Sequence, residues 1–172
     1  LKAFQGVDLT AEVQGTVQQV LFQSGEQVSL GQPLLQLDSQ VEQAILATAL
    51  AVRNLAQVEY QRGKNLAVKQ AISKSEFDRV NAELLKAEAS VAQLQASLDK
   101  KRILAPFAGT IGIRQVDVGD YLSPGNSVAT LQDLSKLYVD FFLPEQVVPL
   151  LAIGQRVRLN VAAYPGEVFE GE

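Results

Sequence analysis

The chain has 172 residues, of which 47% are apolar, and its 15 basic and 19 acidic side chains give a formal net charge of −4. That is enough apolar material for one or two domains, and without a basic surplus no nucleic-acid partner is expected. Cysteine and histidine are both absent, which excludes disulfides, thiolate zinc sites and histidine-dependent nucleophilic catalysis and argues against an enzyme.

Residues 7–38 have the composition of short strands joined by glycine turns. Polar and apolar side chains alternate in two runs between residues 7 and 22, and Gly25 and Gly31 punctuate the segment that follows. Such alternation, bounded by glycine, is typical of β-strands rather than helices. Residues 102–134 have the same composition, so we expect short strands there as well.

The second of these segments repeats the first at a constant offset of 94 residues, without a gap. The matched glycines are Gly15 with Gly109, Gly25 with Gly119, and Gly31 with Gly125. Glycine is required where φ is positive or where two backbones approach closely, so a repeated glycine spacing predicts a repeated backbone geometry. We therefore expect two halves of one pseudo-symmetric β unit, related by a twofold axis over residues 12–37 and 106–131.

Between the two halves lies a block of helix-forming residues, 39–101, which contains 12 alanines, one glycine and no proline. In its second part apolar residues recur at spacings of three and four, as in the a/d seam of a coiled coil. This seam consists of Phe77, Val80, Leu84, Ala87, Val91, Leu94 and Leu98. In the first part a looser seam is predicted at Val41, Ile45, Ala49, Val52 and Ala56.

The block breaks near residues 69–75, where Ser73 followed by Glu76 has the spacing of a capping box at a helix start. We therefore predict an antiparallel hairpin of two helices, each of about 30 residues and about 40–45 Å long. The single glycine, Gly63, costs about 1 kcal/mol relative to alanine in a helix and is expected to loosen the hairpin locally.

The last segment, residues 136–172, is predicted to begin a small β-barrel. A strand is expected over residues 137–143, a short helix over 144–151, a second strand over 156–161 and a turn at 164–167. The chain starts at Leu1 rather than at a methionine and ends within a strand-like pattern, so we expect it to be part of a longer protein. No apolar run reaches the length of about 18 residues that a membrane-spanning helix requires.

Five segments carry a family resemblance. They are residues 12–17 (EVQGTV), 28–38 (VSLGQPLLQLD), 105–111 (APFAGTI), 118–122 (VGDYL) and 137–139 (LYV). Together with the split β unit and its helical insertion, these segments resemble the periplasmic adaptor (membrane fusion) proteins of tripartite efflux pumps, in the hemolysin-D-like superfamily. The resemblance is to the adaptors of resistance-nodulation-division (RND) multidrug pumps, and it covers nearly the whole chain.

The resemblance implies an α+β fold with three parts. A split lipoyl-like (barrel-sandwich hybrid) β domain would comprise residues 7–38 and 102–134, and an antiparallel α-helical coiled-coil hairpin inserted into it would comprise residues 39–101. Part of a β-barrel domain would follow, formed by residues 1–6 and 135–172. The six matched glycines would then be structural turn residues of the lipoyl-like repeat.

The resemblance also implies a function. Adaptors of this family are periplasmic and are attached to the inner membrane, here through a segment outside this chain. They link an inner-membrane transporter, here of the RND type, to a TolC-type outer-membrane channel for the export of drugs or other small toxic compounds. Several copies self-associate into a ring, typically a hexamer. No catalytic residue, cofactor or metal is expected.

Three residues are implied as the docking site for the channel. In adaptors that dock TolC-type channels the hairpin tip carries an arginine, a leucine four residues later and a serine seven residues beyond, and here these are Arg62, Leu66 and Ser73. A planar guanidinium suits carbonyl or carboxylate acceptors, and leucine supplies an apolar knob between helices. The plainer alternatives are a solvated Arg62, a seam contact at Leu66 and a Ser73 that only caps its helix.

Two alternative functions that involve no catalysis by this chain stay open at this point. One is an adaptor of an ATP-driven export system, of the type I secretion or macrolide type. The other is a lipoyl- or biotinyl-carrier domain, whose modified lysine must stand at a tight turn between the two halves. The candidate Lys100 instead falls at the base of the helical block, where a solvated charge beside Lys101 and Arg102 is expected.

Two further alternatives fit the sequence less well. Acid–base catalysis would have to use the carboxylates of Glu12, Asp38, Asp117 or Asp120, which lie in or beside turns, so turn capping is expected instead. A plain coiled-coil scaffold agrees with the helical seam but leaves the 94-residue β repeat unexplained.

Overall fold

The computed structural model describes residues 2–146, 152–161 and 168–171. Its described elements, in chain order, are β1 (Lys2–Thr10), β2 (Gly15–Val20), β3 (Gln27–Val28), β4 (Pro33–Leu37), α1 (Gln40–Val68), α2 (Lys74–Asp99), β5 (Arg102–Leu104), β6 (Gly109–Ile111), β7 (Tyr121–Leu122), β8 (Ser127–Tyr138), β9 (Val157–Asn160) and β10 (Val168–Gly171). The chain divides into two compact units, a larger one of residues 3–137 and a smaller one of residues 1–2 with 138–172. Among the described residues no helix is both long and apolar enough to cross a membrane.

The larger unit contains two four-stranded sheets, with the strand orders β1-β8-β6-β3 and β5-β4-β2-β7. Each sheet takes two strands from before the helices and two from after them. A shift of 94 residues converts each strand of one sheet into its counterpart in the other, so the two strand orders are equivalent. The predicted repeat is therefore confirmed, and its two halves exchange strands instead of forming one sheet each.

Reciprocal hydrogen bonds relate the two halves. The amide of Gly25 donates to the carbonyl of Ile111 (3.0 Å), and the amide of Gly119 donates to the carbonyl of Val17 (2.9 Å), which is the same bond shifted by 94 residues. The four turn glycines lie in the left-handed region, with φ of +82° at Gly25, +75° at Gly31, +98° at Gly119 and +90° at Gly125. Equivalent bonds given in both directions are what a twofold relation between the halves requires.

The core of the β unit is built from equivalent positions of the two halves. The largest fully buried side chains are Leu34, Leu35, Leu37, Ile111, Leu131, Val17 and Val128. Six of these form three pairs that are 94 residues apart, so the sequence repeat is also a repeat of burial. Each such side chain contributes about 1.5–3 kcal/mol through the apolar surface that it removes from water.

The two helices form the predicted hairpin. Helix α1 has 29 residues and α2 has 26, which corresponds to about 40 Å of helix. All seven predicted seam residues of α2 are buried or half-buried, and Leu84 and Ala87 are the most buried, at 6% and 7% exposed. The a/d seam of α2 is thus confirmed.

The predicted seam of α1 is wrong at three of its five positions, because Val41, Ile45 and Val52 are 68%, 47% and 54% exposed. The seam of α1 keeps the predicted Ala49 and Ala56 but takes the next residue at the other three positions, Glu42, Leu46 and Arg53, and continues toward the tip with Tyr60 and Gly63. Its small residues, Ala49, Ala56 and Gly63, leave room for the bulky side chains of the α2 seam in a close-packed interface.

In the smaller unit β9 pairs with β10 in antiparallel register, with Leu159 opposite Phe169. The strand predicted over residues 156–161 is confirmed. The strand predicted over residues 137–143 is wrong, because residues 137–138 end the long strand β8, which pairs with β1, and no strand follows over residues 139–144. Residues 147–151 of the predicted helix and the turn at 164–167 lie outside the described residues. The division of the chain into three domains stays a prediction.

Candidate docking surface at the hairpin tip

The hairpin tip consists of the last turns of α1, the connection and the first turn of α2. Arg62 and Leu66 lie one helical turn apart near the end of α1, and Ser73 is the N-cap of α2. All three side chains are exposed, Leu66 by 37%. The three residues that the sequence singled out therefore lie at the same end of the hairpin and are accessible there.

Helix α1 ends in a Schellman motif, the hydrogen-bonded termination in which the chain passes through a left-handed residue. The amide of Gln70 donates to the carbonyl of Ala67 (2.9 Å), and the amide of Ala71 donates to the carbonyl of Leu66 (2.8 Å). Gln70 has a φ of +55°, a conformation that costs a non-glycine residue about 1–2 kcal/mol. These two bonds fix the backbone at the point where Leu66 is presented.

Helix α2 starts with half of the predicted capping box. The hydroxyl of Ser73 accepts a hydrogen bond from the amide of Glu76 (3.1 Å). The carboxylate of Glu76 does not complete the box but accepts two hydrogen bonds from Arg79, at 3.2 and 2.7 Å. These bonds hold the pKa of Glu76 below its ordinary value. The Ser73 hydroxyl still has its own hydrogen to donate, so capping does not exhaust it.

Beneath the tip the two helices approach closely at Gly63. A Cβ atom there would lie 3.7 Å from Val80 and 3.8 Å from Phe77, and Gly63 is buried inside a continuous helix. The rings of Tyr60 and Phe77 add a tilted contact with centroids 5.7 Å apart. Because an alanine at position 63 would make only ordinary contacts with Val80 and Phe77, the packing does not decide whether glycine loosens the hairpin here, and that expectation stays a prediction.

Arg62 differs from the other arginines of the hairpin. Arg79 is paired with Glu76, and Arg53 lies in the seam with its Nε atom buried and without a hydrogen-bond partner. Within residues 2–146, 152–161 and 168–171, no hydrogen bond or ion pair engages the guanidinium of Arg62. The N–H groups of this exposed guanidinium are therefore available to an acceptor on another molecule.

The residues behind the alternative functions have structural partners. Lys100 caps the end of α2 at the hairpin base and lies 3.6 Å from the Glu12 carboxylate, at 54% exposed. Asp38 accepts a hydrogen bond from the amide of Gln40 (3.1 Å), and Asp120 accepts one from the amide of Asp117 (2.7 Å). The described residues contain no group of acidic side chains suited to a metal ion. Turn capping is therefore confirmed for Asp38 and Asp120.

One charged contact at the hairpin base was not predicted. The ammonium of Lys101 lies 2.8 Å from the carboxylate of Glu42 and 3.1 Å from the carbonyl oxygen of Gln14. Its side chain is only 12% exposed, unlike that of the neighbouring Lys100, for which a solvated charge was expected and which is 54% exposed. The signal available in the sequence was its position, since Glu42 opens the first helix and Lys101 directly follows the second.

Comparisons with known proteins place this geometry in a family. The family model described as RND MFP, barrel-sandwich hybrid domain, matches residues 5–133. The antibiotic efflux pump periplasmic linker protein ArpA of Pseudomonas putida is 39% identical over 144 residues, which cover 80% of this chain and 38% of ArpA. The multidrug resistance protein MexA of Pseudomonas aeruginosa is 34% identical over 144 residues, which cover 83% of this chain and 38% of MexA.

A solved structure agrees with these relatives. The chimeric protein MacA-MexA, which contains the Pseudomonas aeruginosa MexA α-hairpin domain, superposes with a TM-score of 0.88 at 26% identity, over 99% of this chain and 62% of the chimera. The predicted α+β fold, a barrel-sandwich hybrid with an inserted two-helix hairpin, is thereby confirmed. The chain spans less than half the length of the two curated relatives. It belongs to the RND membrane fusion protein family with a barrel-sandwich hybrid domain.

Proposed function

We propose that this chain is the bridging part of a periplasmic adaptor, which links an inner-membrane efflux transporter of the RND type to a TolC-type outer-membrane channel. The observation that carries the proposal is the hairpin tip, where Arg62, Leu66 and Ser73 are all exposed and where Arg62 has no hydrogen-bond or ion-pair partner among the described residues. Two relatives of this chain are named as an efflux pump periplasmic linker and as a multidrug resistance protein. The family model is itself described by the RND type, which favours this transporter class over an ATP-driven one.

The chemistry of the tip suits a helical or carbonyl-lined partner. The guanidinium of Arg62 can donate to two acceptors at once, and Leu66 supplies an apolar knob one turn away. The Ser73 hydroxyl offers a donor on the opposite side of the connection. No covalent or acid–base step is required of these residues, so the proposed role is to dock and not to catalyse.

Self-association of the adaptor is supported by the outer edge of α1. Ile45, Val52, Leu55 and Val58 are 47–62% exposed on this edge. Between residues 41 and 58 the two charged side chains of α1 are Glu42 and Arg53, and both lie in the seam. An exposed apolar face without charges indicates an interaction surface.

The outer edge of α2 offers the complementary surface for a second copy. Its exposed residues at spacings of three and four are four alanines and one leucine, Ala82, Leu85, Ala89, Ala92 and Ala96. Ala56 of α1 clusters with Leu84 and Ala87 of α2, so Val52, one turn closer to the base, stands at the height of Ala89 and Ala92. If the copies are related by rotation about an axis parallel to the hairpin, they are not shifted along that axis. The large apolar residues on the α1 edge of one copy would then contact the alanines on the α2 edge of the next. Such a head-to-tail contact closes into a ring, as expected for the proposed hexamer.

The test is to replace Arg62 in the full-length protein and to measure export. We expect Arg62→Asp to lower resistance to an exported drug to that of cells without the adaptor, because an aspartate repels the acceptors that the arginine would bind. Lys86→Asp is the matched control, since it makes the same charge change at a 79% exposed side chain in the middle of α2. Both variants should keep their helical circular dichroism. Full resistance with Arg62→Asp would contradict the proposed docking site.

A further inference from the structure

Two short connections join the hairpin to the β unit, one just before α1 and one just after α2. The side chain of Lys101 lies at this junction. Its ammonium contacts the carboxylate of Glu42 at 2.8 Å and the carbonyl oxygen of Gln14 at 3.1 Å. Glu42 belongs to the first turn of α1, Gln14 precedes β2, and Lys101 itself follows α2. One half-buried charge therefore ties both ends of the hairpin to the β unit.

The surroundings of this ammonium leave little free space. A Cβ atom at Gly15 would lie 3.4 Å from the Nζ atom of Lys101 and 3.3 Å from the Cβ atom of Leu37. The backbone of Lys101 is held as well, because its carbonyl accepts a hydrogen bond from the amide of Leu37 (2.8 Å) and its amide donates to Leu98 (3.0 Å). The lysine is thus fixed at both its backbone and its terminal nitrogen.

The β repeat is broken at this position. The residue 94 positions before Lys101 is Val7, which is 40% exposed, and Glu42 lies in the insertion and has no counterpart. The core positions of the two halves keep the same burial, whereas the charged contact occurs only where the hairpin enters. The contact is therefore a feature of the hairpin junction and not of the β fold.

The neighbouring Lys100 provides the contrast. Its side chain is 54% exposed, and its ammonium lies 3.6 Å from the 68% exposed carboxylate of Glu12. An ion pair at such exposure contributes little. The Lys101 pair is less accessible, with side-chain exposures of 12% for Lys101 and 31% for Glu42, so it is less screened by water than the Lys100 pair. The hydrogen bond from Lys101 also holds the pKa of Glu42 below its ordinary value, against the effect of burial.

We propose that Lys101 is a positioning residue that sets the direction of the hairpin relative to the β unit and thereby places the tip. The hairpin is a lever of about 40 Å, so a rotation of about 10° at its base displaces the tip by about 7 Å. That displacement exceeds the reach of a hydrogen bond or a side-chain contact. The consequence for docking rests on the proposed function of the tip, whereas the positioning itself does not.

The test measures the distance between base and tip in the full-length protein. The 172 residues contain no cysteine, so spin labels can be introduced by Leu30→Cys in the β unit, where the residue is 72% exposed, and by Lys69→Cys at the end of α1. Lys101→Met removes the ammonium and keeps most of the aliphatic stem. We expect the distance distribution of Lys101→Met to broaden by several Å, with the helical circular dichroism unchanged.

Lys100→Met is the matched control, and its distance distribution should stay that of the parent. Lys101→Arg keeps a half-buried cation and should restore a narrow distribution in part. If Lys101→Met fails to fold, Glu42→Gln tests the same contact from α1 and should also broaden the distribution. A parent-like distribution in Lys101→Met, or equal broadening in Lys100→Met, would overturn the proposal. Because no transporter or channel is present, this result is independent of whether Arg62 docks.

Discussion

The β unit and the hairpin use apolar repeats in different ways. In the β unit, the most buried side chains recur 94 positions apart, as Leu37 and Leu131 do, because the two sheets enclose one core and side chains at equivalent positions point into it. In the hairpin, α2 buries its bulky seam, whereas α1 exposes an apolar edge that includes Val52 and Leu55. Two helices bury only a narrow strip of each other. A rod therefore retains a second apolar face for contacts outside the chain.

The largest effect is expected from alanine substitutions at Gly15 and Gly109, the first matched glycines of the two β halves, which should differ in their cost. A Cβ atom at Gly109 would lie 2.5 Å from the backbone oxygen of Gln132, whereas one at Gly15 would lie 3.3 Å from the side chain of Leu37. We expect Gly109→Ala to lower the free energy of unfolding by about 3 kcal/mol and Gly15→Ala by about 1 kcal/mol, because the contact at Gly109 is a clash with backbone, whereas the neighbours of Gly15 are only slightly too close. Urea denaturation of both variants measures the difference. Equal losses would show that the two close approaches are energetically alike.

A smaller effect sharpens the contrast between the two helices. Leu84, which is 6% exposed in the seam of α2, should lose about 2 kcal/mol of unfolding free energy on replacement by alanine. Val52, which is 54% exposed on α1, should change it by less than about 0.5 kcal/mol on the same replacement. The measurement is urea denaturation in dilute solution, where a contact between copies does not contribute. If Val52→Ala lowered the free energy of unfolding as much as Leu84→Ala, Val52 would belong to the seam of α1, as the sequence alone predicted.

The β unit was largely predictable because its signal is redundant. The backbone has a positive φ at Gly25 and at Gly119, a conformation that favours glycine. Glycines that match at one offset therefore indicate a repeated backbone geometry before any contact is known. The strand exchange between the two sheets was not predictable, since a repeat at a fixed offset does not say which half supplies which strand of a sheet. The end of β8 was also missed, because the apolar run at residues 137–143 has no turn signal where Tyr138 ends the strand.

The seam of α1 was not predictable from periodicity alone. Two stripes run along this helix one residue apart, and the more apolar one, through Val52, is the exposed one. The choice between them depends on the partner helix, whose Phe77 and Val80 lie against Gly63 in the observed seam. At the tip, the spacing of Arg62, Leu66 and Ser73 was read from the sequence through a family resemblance, and their role there stays a prediction.

The base of the hairpin shows a second limit of reading a sequence. Lys101 stands between Lys100 and Arg102, and a run of three cations suggests a solvated surface. The structure separates them, since Lys101 alone turns inward to Glu42 and Gln14. Its partners lie 59 and 87 positions away in the chain, and local composition does not report contacts of that range.

The central claim, that the hairpin tip docks the outer-membrane channel, is tested most directly by photocrosslinking in cells. A photoreactive phenylalanine at position 66 of the full-length protein replaces a 37% exposed leucine at the tip, and the same residue at position 85 replaces a 56% exposed leucine in the middle of α2. We predict a covalent adduct with the outer-membrane channel from position 66 and none from position 85. Export-competent cells that give no adduct from position 66, or equal adducts from both positions, would contradict the account.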